Sequence, residues 1–270
     1  GSAAPLETRG LAREPRAVPA GGMVAVAVRF RVTALLYASV GFGGGSTYTA
    51  LLALTEVDYR VLPLLSLACN LVVVAGSTVR FARARVTPWG RALLLTAIAA
   101  PAAFLGGLTP IAEQGFLALL GTSLLFTALT MMLPVAKRPE GEGERGRVAR
   151  YAPLAALPLG YISGLVGIGG GIFLAPLLHL VRWDSARAIA ATASLFILVN
   201  SLFGLAGQVL KGGEGRFAAA VDLGLPLLIA VAIGGQIGSL LALRYLPQRW
   251  IRWGTGALTA FVGGRLLLNL

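Results

Sequence analysis

Two glycine clusters are the positions in this sequence with the clearest capacity for binding chemistry. Each interrupts a long apolar stretch, and glycine destabilises a helix by roughly 1 kcal/mol per residue relative to alanine. We therefore expect a helix, an unwound turn and a second short helix at each cluster. The N–H groups and positive dipole end of that second helix would suit an anion. The clusters are Gly43, Gly44 and Gly45, followed by the capping residues Ser46 and Thr47, and Gly169, Gly170 and Gly171.

Neutral polar residues inside the apolar stretches could donate to the oxygens of a sulfonate. No Asp or Glu lies deep in any of these stretches. The alternatives are hydrogen bonds between helices for the polar residues and close helix packing for the glycines. The candidate binding residues of this second kind are Ser66, Asn70, Thr192, Ser194, Asn200 and Gln236, of which Asn70 and Asn200 stand in corresponding stretches. We expect no catalytic residue, metal or cofactor.

The composition indicates what kind of protein must position these residues. Of 270 residues, 56% are hydrophobic and 13% are charged, whereas a soluble domain carries about 25% charged residues. With a mean hydropathy of +0.79, the sequence predicts an all-α polytopic membrane protein. We expect the net charge of +12 to lie in cytoplasmic loops rather than to bind nucleic acid. The single histidine excludes a multi-histidine metal site within the chain.

Eight apolar stretches are long enough to be transmembrane segments. If all eight span and the N-terminus is cytoplasmic, 17 Lys and Arg residues face the cytoplasm and 6 face outward. That difference favours an inner-membrane protein with both termini in the cytoplasm. Three arginines before the last segment are the exception. The stretches are 32–55, 61–79, 92–112, 114–136, 151–181, 188–210, 223–243 and 253–270.

The sequence also contains an internal repeat. Residues 41–58 and 167–184 match at an offset of 126, with eight of eighteen positions identical. Two membrane halves with glycine-interrupted segments are typical of secondary transporters. The halves are inverted if each glycine-broken segment re-enters, and parallel if each one spans. We predict a disordered tail over 1–22, a first transmembrane repeat over 23–135, a charged linker over 136–150 and a second repeat over 151–270.

The repeated motifs resemble those of the TauE/SafE family, also called the toluene-sulfonate uptake permeases. The resemblance rests on GFGGGSTYTALL at 41–52 and GIGGGIFLAPLL at 167–178, each followed by a segment of small, Ser and Thr residues. It covers nearly all of 30–268. The resemblance implies a bacterial or archaeal inner-membrane carrier of sulfur-containing anions, such as sulfite or sulfonates like sulfoacetate.

Together these observations predict a secondary transporter, a permease or exporter, for a small sulfur-containing anion, with or without a coupled proton. The anion would bind near the midplane between the repeats, at helix N-termini and neutral polar side chains. The alternatives are a passive anion channel, a carrier of other small organic anions and, remotely, an intramembrane hydrolase that uses Ser163 and His179. We expect a transporter in the lipid bilayer and not an enzyme. Import or export, and the oligomeric state, stay open at this point.

Overall fold

The computed structural model describes residues 58–132, 151–242 and 248–268. These residues form helices and short connections, with no strand among them, which confirms the all-α prediction. In chain order the helices are α1 (Leu62–Arg83), α2 (Trp89–Leu108), α3 (Glu113–Met132), α4 (Ala152–Val166), α5 (Gly171–Leu180), α6 (Ala186–Ala242) and α7 (Gln248–Leu268).

Four helical segments are long and apolar enough to cross a membrane, namely α1, α2, α3 and the first part of α6, Ala186–Gly212. α1 has 22 residues and is about 33 Å long at 1.5 Å per residue, whereas the hydrocarbon core is about 30 Å thick. The chain is therefore a multi-pass membrane protein. The predicted count of eight segments includes 32–55, which lies outside the described residues, so that count stays a prediction.

α6 does not run straight through its 57 residues. Gly204 packs against Leu67, and Gly224 packs against Leu65, so that both glycines lie beside neighbouring residues of α1. A straight helix would separate the two glycines by about 30 Å. α6 therefore bends back between them, where three glycines lie within 211–216 and favour a kink. The bend falls between the apolar stretches 188–210 and 223–243.

Glycines bring α2 and α4 into backbone contact. Gly160 lies against the backbone of Ala99, and Gly164 lies against the backbone of Ala103. Because the residue numbers of both helices rise together along this contact, α2 and α4 are parallel. Small residues allow such close approach between membrane helices, so this glycine pair has the packing role that was the alternative to a binding role.

The second glycine cluster breaks the helix, as predicted from the sequence. α4 ends at Gly167, and α5 begins after Gly170. The backbone φ angles are +84° at Gly167, +83° at Gly169 and +75° at Gly170. Glycine adopts these angles readily because it has no Cβ. The first cluster, 43–45, lies outside the described residues.

α4 and α5 form a re-entrant hairpin that enters and leaves at the same end of the bundle. Arg91, at the start of α2, makes an ion pair of 2.7 Å with Asp184, just after α5. The Arg91 guanidinium also stacks 3.8 Å from the ring centre of Trp183. Ala152, at the start of α4, packs in the same apolar cluster as Trp183. We call this end of the bundle, where Arg91 meets Asp184, the arginine end.

This hairpin corrects the loop assignment made from charge. That assignment placed residues 80–91 in the cytoplasm and 182–187 outside, because it assumed that the stretch 151–181 spans the membrane. The ion pair between Arg91 and Asp184 brings both loops to the arginine end. The assignment of these loops to opposite sides is therefore wrong.

The C-terminal end of α7 lies away from the arginine end. α3 starts beside Tyr59, which precedes α1 and stacks on Phe116, so α3 runs towards the arginine end. Gly121, early in α3, contacts Leu267, whereas Gly256 contacts Met131 near the end of α3. α7 is thus antiparallel to α3 and runs away from the arginine end.

The direction of α7 bears on the predicted side of the C-terminus. Met132, the last described residue of α3, lies at the arginine end, whereas α7 runs away from that end. Arg249 and Arg252 begin α7 at the arginine end, on the same side as residues 80–91, although the charge count had placed them on the opposite side. That both termini are cytoplasmic stays a prediction.

We predict that Gly164→Ala destabilises the protein through the α2–α4 contact. A methyl group at Gly164 would overlap the carbonyl of Ala103, and overpacking costs about 1–3 kcal/mol. Gly264→Ala is the matched control, because a methyl group at Gly264 meets nothing within 4 Å. Thermal unfolding in detergent should give a lower midpoint for the first variant only. Equal midpoints would contradict the contact.

We also predict that Arg83→Cys and Ala186→Cys are labelled from one side of the membrane and Glu113→Cys from the other. All three side chains are exposed, and the native Cys69, which is buried, is replaced by alanine in the background. Labelling of right-side-out and inside-out vesicles with an impermeant maleimide measures the side. Labelling of Arg83→Cys and Ala186→Cys from opposite sides would refute the re-entrant hairpin.

Candidate functional site

The turn between α4 and α5 lies inside the membrane depth. The side-chain amide of Asn70 donates a hydrogen bond of 3.2 Å to the carbonyl of Ile168 in this turn. Asn70 lies about 12 Å from the first residue of α1 and about 20 Å from its last residue, at 1.5 Å per residue. Unwound backbone at such depth is tolerated only where protein buries it or where it lines a wet cavity.

Three polar side chains from three helices surround the turn. A methyl group built on Gly169 would lie 2.8 Å from Asn70 Nδ2 and 3.1 Å from Ser201 Oγ. A methyl group on Gly170 would lie 3.2 Å from Ser163 Oγ. Glycine is required at both positions, because a side chain would displace these polar groups and because φ is positive there. The turn therefore brings α1, α4 and α6 together around one point.

Several polar atoms around the turn are buried without a hydrogen-bond partner in the described part of the chain. They are Asn70 Oδ1, Ser163 Oγ, Ser201 Oγ and both side-chain polar atoms of Asn200. Each of these four residues is fully buried. Asn200 lies one helical turn after Phe196, whose ring faces Gly170. Since most buried polar atoms in proteins are hydrogen-bonded, this concentration marks a site for a ligand or for ordered water.

The start of α5 adds backbone donors to this set. Neither the N–H of Gly171 nor that of Ile172 has a partner among the residues that the structure describes. The first N–H that is bonded belongs to Phe173, which donates to the carbonyl of Gly170 at 3.1 Å. The unpaired N–H groups carry the positive end of the helix dipole. They therefore favour a negatively charged group at the turn.

The carbonyl groups at the end of α4 are satisfied, in contrast to the N–H groups of α5. Gln208 Nε2 lies 3.0 Å from the carbonyl of Gly164 and 3.3 Å from that of Leu165, and donates to both. Gly167 N–H donates to the carbonyl of Ser163 at 2.9 Å. Because donors cover the negative end of α4, the positive end of α5 dominates the local field.

No charged side chain contacts the turn among the residues that the structure describes. Every buried polar side chain in the described part of the chain belongs to Ser, Thr, Asn or Gln. An anion therefore meets donors and no competing carboxylate. Ser163 lies beside the first residues of α5 and His179 lies in its last turn, so about 14 Å of helix separates them. The two residues cannot form the nucleophile–base pair that a hydrolase would need.

The structure brings together some of the residues predicted from the sequence. Gly169, Gly170, Gly171 and Asn70 form the turn and its surroundings, and Asn200 lies on the facing side of α6. Thr192 instead donates its hydroxyl to the carbonyl of Ala188 within α6 at 2.8 Å. Ser66 and Ser194 are buried on α1 and α6. The remaining predicted site residues lie outside the part of the chain that the structure describes. They are the side chain of Gln236 and the residues Gly43, Gly44, Gly45, Ser46 and Thr47.

Sequence reasoning missed Ser201 and Gln208 and gave Ser163 only a hydrolytic role. Ser201 directly follows Asn200, and Gln208 is a long polar residue inside an apolar stretch. Both features were available as signals. The sequence did not show which segment these side chains contact, because the turn and the end of α4 lie more than thirty positions earlier in the chain.

Comparison with known proteins gives a consistent result. The sequence profile described as sulfite exporter TauE/SafE matches residues 26–266. The chain is 32% identical over 255 residues to the probable membrane transporter protein y4hK of Sinorhizobium fredii. The aligned region covers 90% of this chain and 98% of that protein. It is 21% identical over 226 residues to the probable membrane transporter protein YunE of Bacillus subtilis, covering 74% and 81% of the two chains.

A shorter match concerns a larger protein. The chain is 32% identical over 135 residues to the probable membrane transporter protein MamO of Paramagnetospirillum magneticum, covering 49% of this chain and 20% of that protein. No solved structure matches the chain.

We predict that Asn70→Ala lowers the stability of the protein by about 1 kcal/mol, because the Ile168 carbonyl loses its donor. Ser77→Ala is the matched control on the same helix, since its hydroxyl donates only to the carbonyl of Val74 in that helix, at 3.0 Å. Thermal unfolding in detergent measures both variants. A midpoint for Asn70→Ala at or above that of Ser77→Ala would show that the hydrogen bond does not hold the turn.

Proposed function

Because the chain belongs to the sulfite exporter TauE/SafE family, we propose that this membrane transporter is a secondary carrier of small sulfur-containing anions, such as sulfite or organosulfonates resembling sulfoacetate. The observation that carries the proposal is the pair of N–H groups at Gly171 and Ile172, which have no hydrogen-bond partner within 58–132, 151–242 and 248–268. They lie among buried hydroxyl and amide groups at the turn. The site is thus built from neutral donors within the membrane depth.

The chemistry of a sulfur oxyanion fits this donor set. Such an anion is charged and crosses lipid poorly, so it requires a protein pathway. Its oxygens can accept from the two backbone N–H groups, from the hydroxyls of Ser163 and Ser201 and from the amide of Asn200. Hydrogen bonds to a charged group are roughly twice as strong as neutral ones. They could therefore replace much of the hydration that the anion loses.

The helix directions support inverted repeats over parallel ones. α1 and the first part of α6 correspond by their asparagines, and they run in opposite directions, since Leu67 meets Gly204 while Asn70 and Ser201 meet at Gly169. α3 and α7 share a Gly-Thr dipeptide, at 121–122 and 254–255, and are also antiparallel. Inverted repeats place substrate between the halves and allow alternating access.

In this arrangement the first repeat would contribute its own turn from the opposite side. That turn would comprise Gly43, Gly44 and Gly45, with Ser46 and Thr47 at the start of the second short helix. Two helix N-termini would then face one anion. This part of the proposal rests on the sequence repeat, since those residues lie outside the description.

The neutral lining bears on coupling and on mechanism. Because the described buried polar side chains include no acid, a carboxylate relay for protons has no support there. A proton could instead travel with a protonated anion. Uptake measured with and without a pH gradient tests whether protons accompany the anion. A separate counterflow experiment distinguishes a carrier from a passive channel, because only a carrier shows trans-stimulation.

We predict that Ser201→Ala raises the KM for sulfite uptake about tenfold, because a buried hydroxyl that binds a charged group contributes roughly 1.5–3 kcal/mol. Uptake of radiolabelled sulfite into proteoliposomes, competed by sulfoacetate, measures the change. Ser77→Ala should transport like the parent protein. Saturable uptake with equal KM in both variants would remove the anion from this turn, and no uptake by folded parent protein would remove the substrate assignment.

A further inference from the structure

A shallow, open cavity lies at the arginine end, away from the glycine turn. Its volume is about 460 Å³, and it lies between residues 85–88, which connect α1 to α2, and residues 184–188, which lead into α6. α5 runs from the glycine turn towards this cavity, and its ten residues cover about 15 Å. The cavity and the turn therefore lie at opposite ends of α5.

The surroundings of this cavity are strongly cationic. Within residues 80–91 and 182–187 there are six arginines and one acid, Asp184. Asp184 also lines the cavity, and its carboxylate is paired with Arg91 at 2.7 Å. Arg85 and Arg187 line the cavity itself, and Arg85 makes no ion pair or hydrogen bond through its side chain in the described part of the chain.

The backbone holds Arg85 at the cavity in an unusual conformation. Its φ angle is +55°, a left-handed value that is uncommon for residues other than glycine. Its N–H donates to the carbonyl of Ala82 at 3.1 Å, which closes the end of α1. Val86 N–H also donates to the carbonyl of Phe81 at 3.3 Å, so this is a left-handed C-cap, and it fixes the backbone from which the Arg85 side chain extends.

Two hydroxyl groups complete the lining. Thr87 is only 9% exposed, lines the cavity, and its hydroxyl has no hydrogen-bond partner among the residues described. Ser185 caps α6, since its Oγ accepts from the N–H of Ala188 at 3.3 Å. The start of α6 thus presents its positive dipole end to the same cavity.

We propose that this cavity is a second anion site, a vestibule that binds a small oxyanion through Arg85, Arg187 and Thr87 before it reaches the glycine turn or after it leaves. That the vestibule lies on the transport path rests on the proposed function. That it binds an oxyanion is independent of the proposed function. The shared chemistry is a compact group with several anionic oxygens, supplied either by a free sulfonate-like anion or by the phosphate of a lipid headgroup.

Protection of an introduced cysteine tests binding without requiring transport. Val86→Cys, in the Cys69→Ala background, places a thiol on the cavity wall while leaving the proposed binding residues intact. The rate of its reaction with N-ethylmaleimide is measured in nanodiscs of neutral lipid, in methanesulfonate and in chloride at equal ionic strength. We expect methanesulfonate to slow labelling at least about twofold. Added Arg85→Gln should abolish the protection, whereas Arg83→Gln, an exposed arginine outside the cavity, should preserve it.

A second arm identifies the source of the oxyanion. Nanodiscs containing phosphatidylglycerol are compared with neutral ones in chloride alone. Protection by the anionic lipid that Arg85→Gln removes would identify the headgroup as an occupant of the same site. Labelling rates that are the same in methanesulfonate, chloride and anionic lipid, or protection that Arg85→Gln leaves intact, would overturn the proposal.

Transport kinetics then test the role of the vestibule in the proposed function. Arg85→Gln should raise the KM for sulfite roughly fivefold, which corresponds to one exposed charge contact, and leave the maximal rate unchanged; Arg85→Lys should restore most of the KM. Protection without any sulfite uptake would leave the anion site standing and reject the proposed function. Uptake with a normal KM in Arg85→Gln would reject the vestibule role alone.

Discussion

A turn of unwound backbone inside the membrane is the constraint on which the rest of this structure depends. Lipid offers no hydrogen bonds, so neighbouring helices must serve the peptide groups of residues 167–171. Asn70 donates to the carbonyl of Ile168 in the turn, and Gln208 donates to those of Gly164 and Leu165 just before it. The N–H groups at the start of α5, in contrast, have no partner in the described chain. This asymmetry gives the site a positive character without any charged side chain. It also requires α1, α4 and α6 to converge on one point.

The sequence predicted the break in the second repeat because its cause is local. Adjacent glycines within a long apolar stretch weaken the helix wherever the stretch is placed. The return of the chain to the arginine end was not predictable in this way. It depends on contacts between distant segments. Gly164 packs against Ala103, and Arg91 pairs with Asp184, 93 positions later in the chain. Counting charges in loops went wrong for the same reason, since it assumed a crossing where the chain turns back.

The candidate site was predictable in part. Asn70 stood out because Asn200 stands in the corresponding stretch of the other half. Small hydroxyl residues are less informative, because many of them bond to their own helix, as Thr192 does with Ala188. Ser201 and Thr192 lie on the same helix, but only Ser201 faces the turn, and its hydroxyl has no partner among the described residues. The position of the turn is a property of the packed helices and not of any short sequence pattern.

The two ends of the α4–α5 hairpin are held by different kinds of interaction. At the arginine end an ion pair of 2.7 Å and the stacking of Arg91 on Trp183 fix its base. At the tip, glycines with no side chains meet neutral groups, and the bond from Asn70 is 3.2 Å long. A displacement of the base has to separate charged groups, whereas a displacement of the tip has to break only hydrogen bonds between neutral groups and the close contacts of the glycines. The hairpin is thus held by charge at its base and by neutral contacts in the membrane depth.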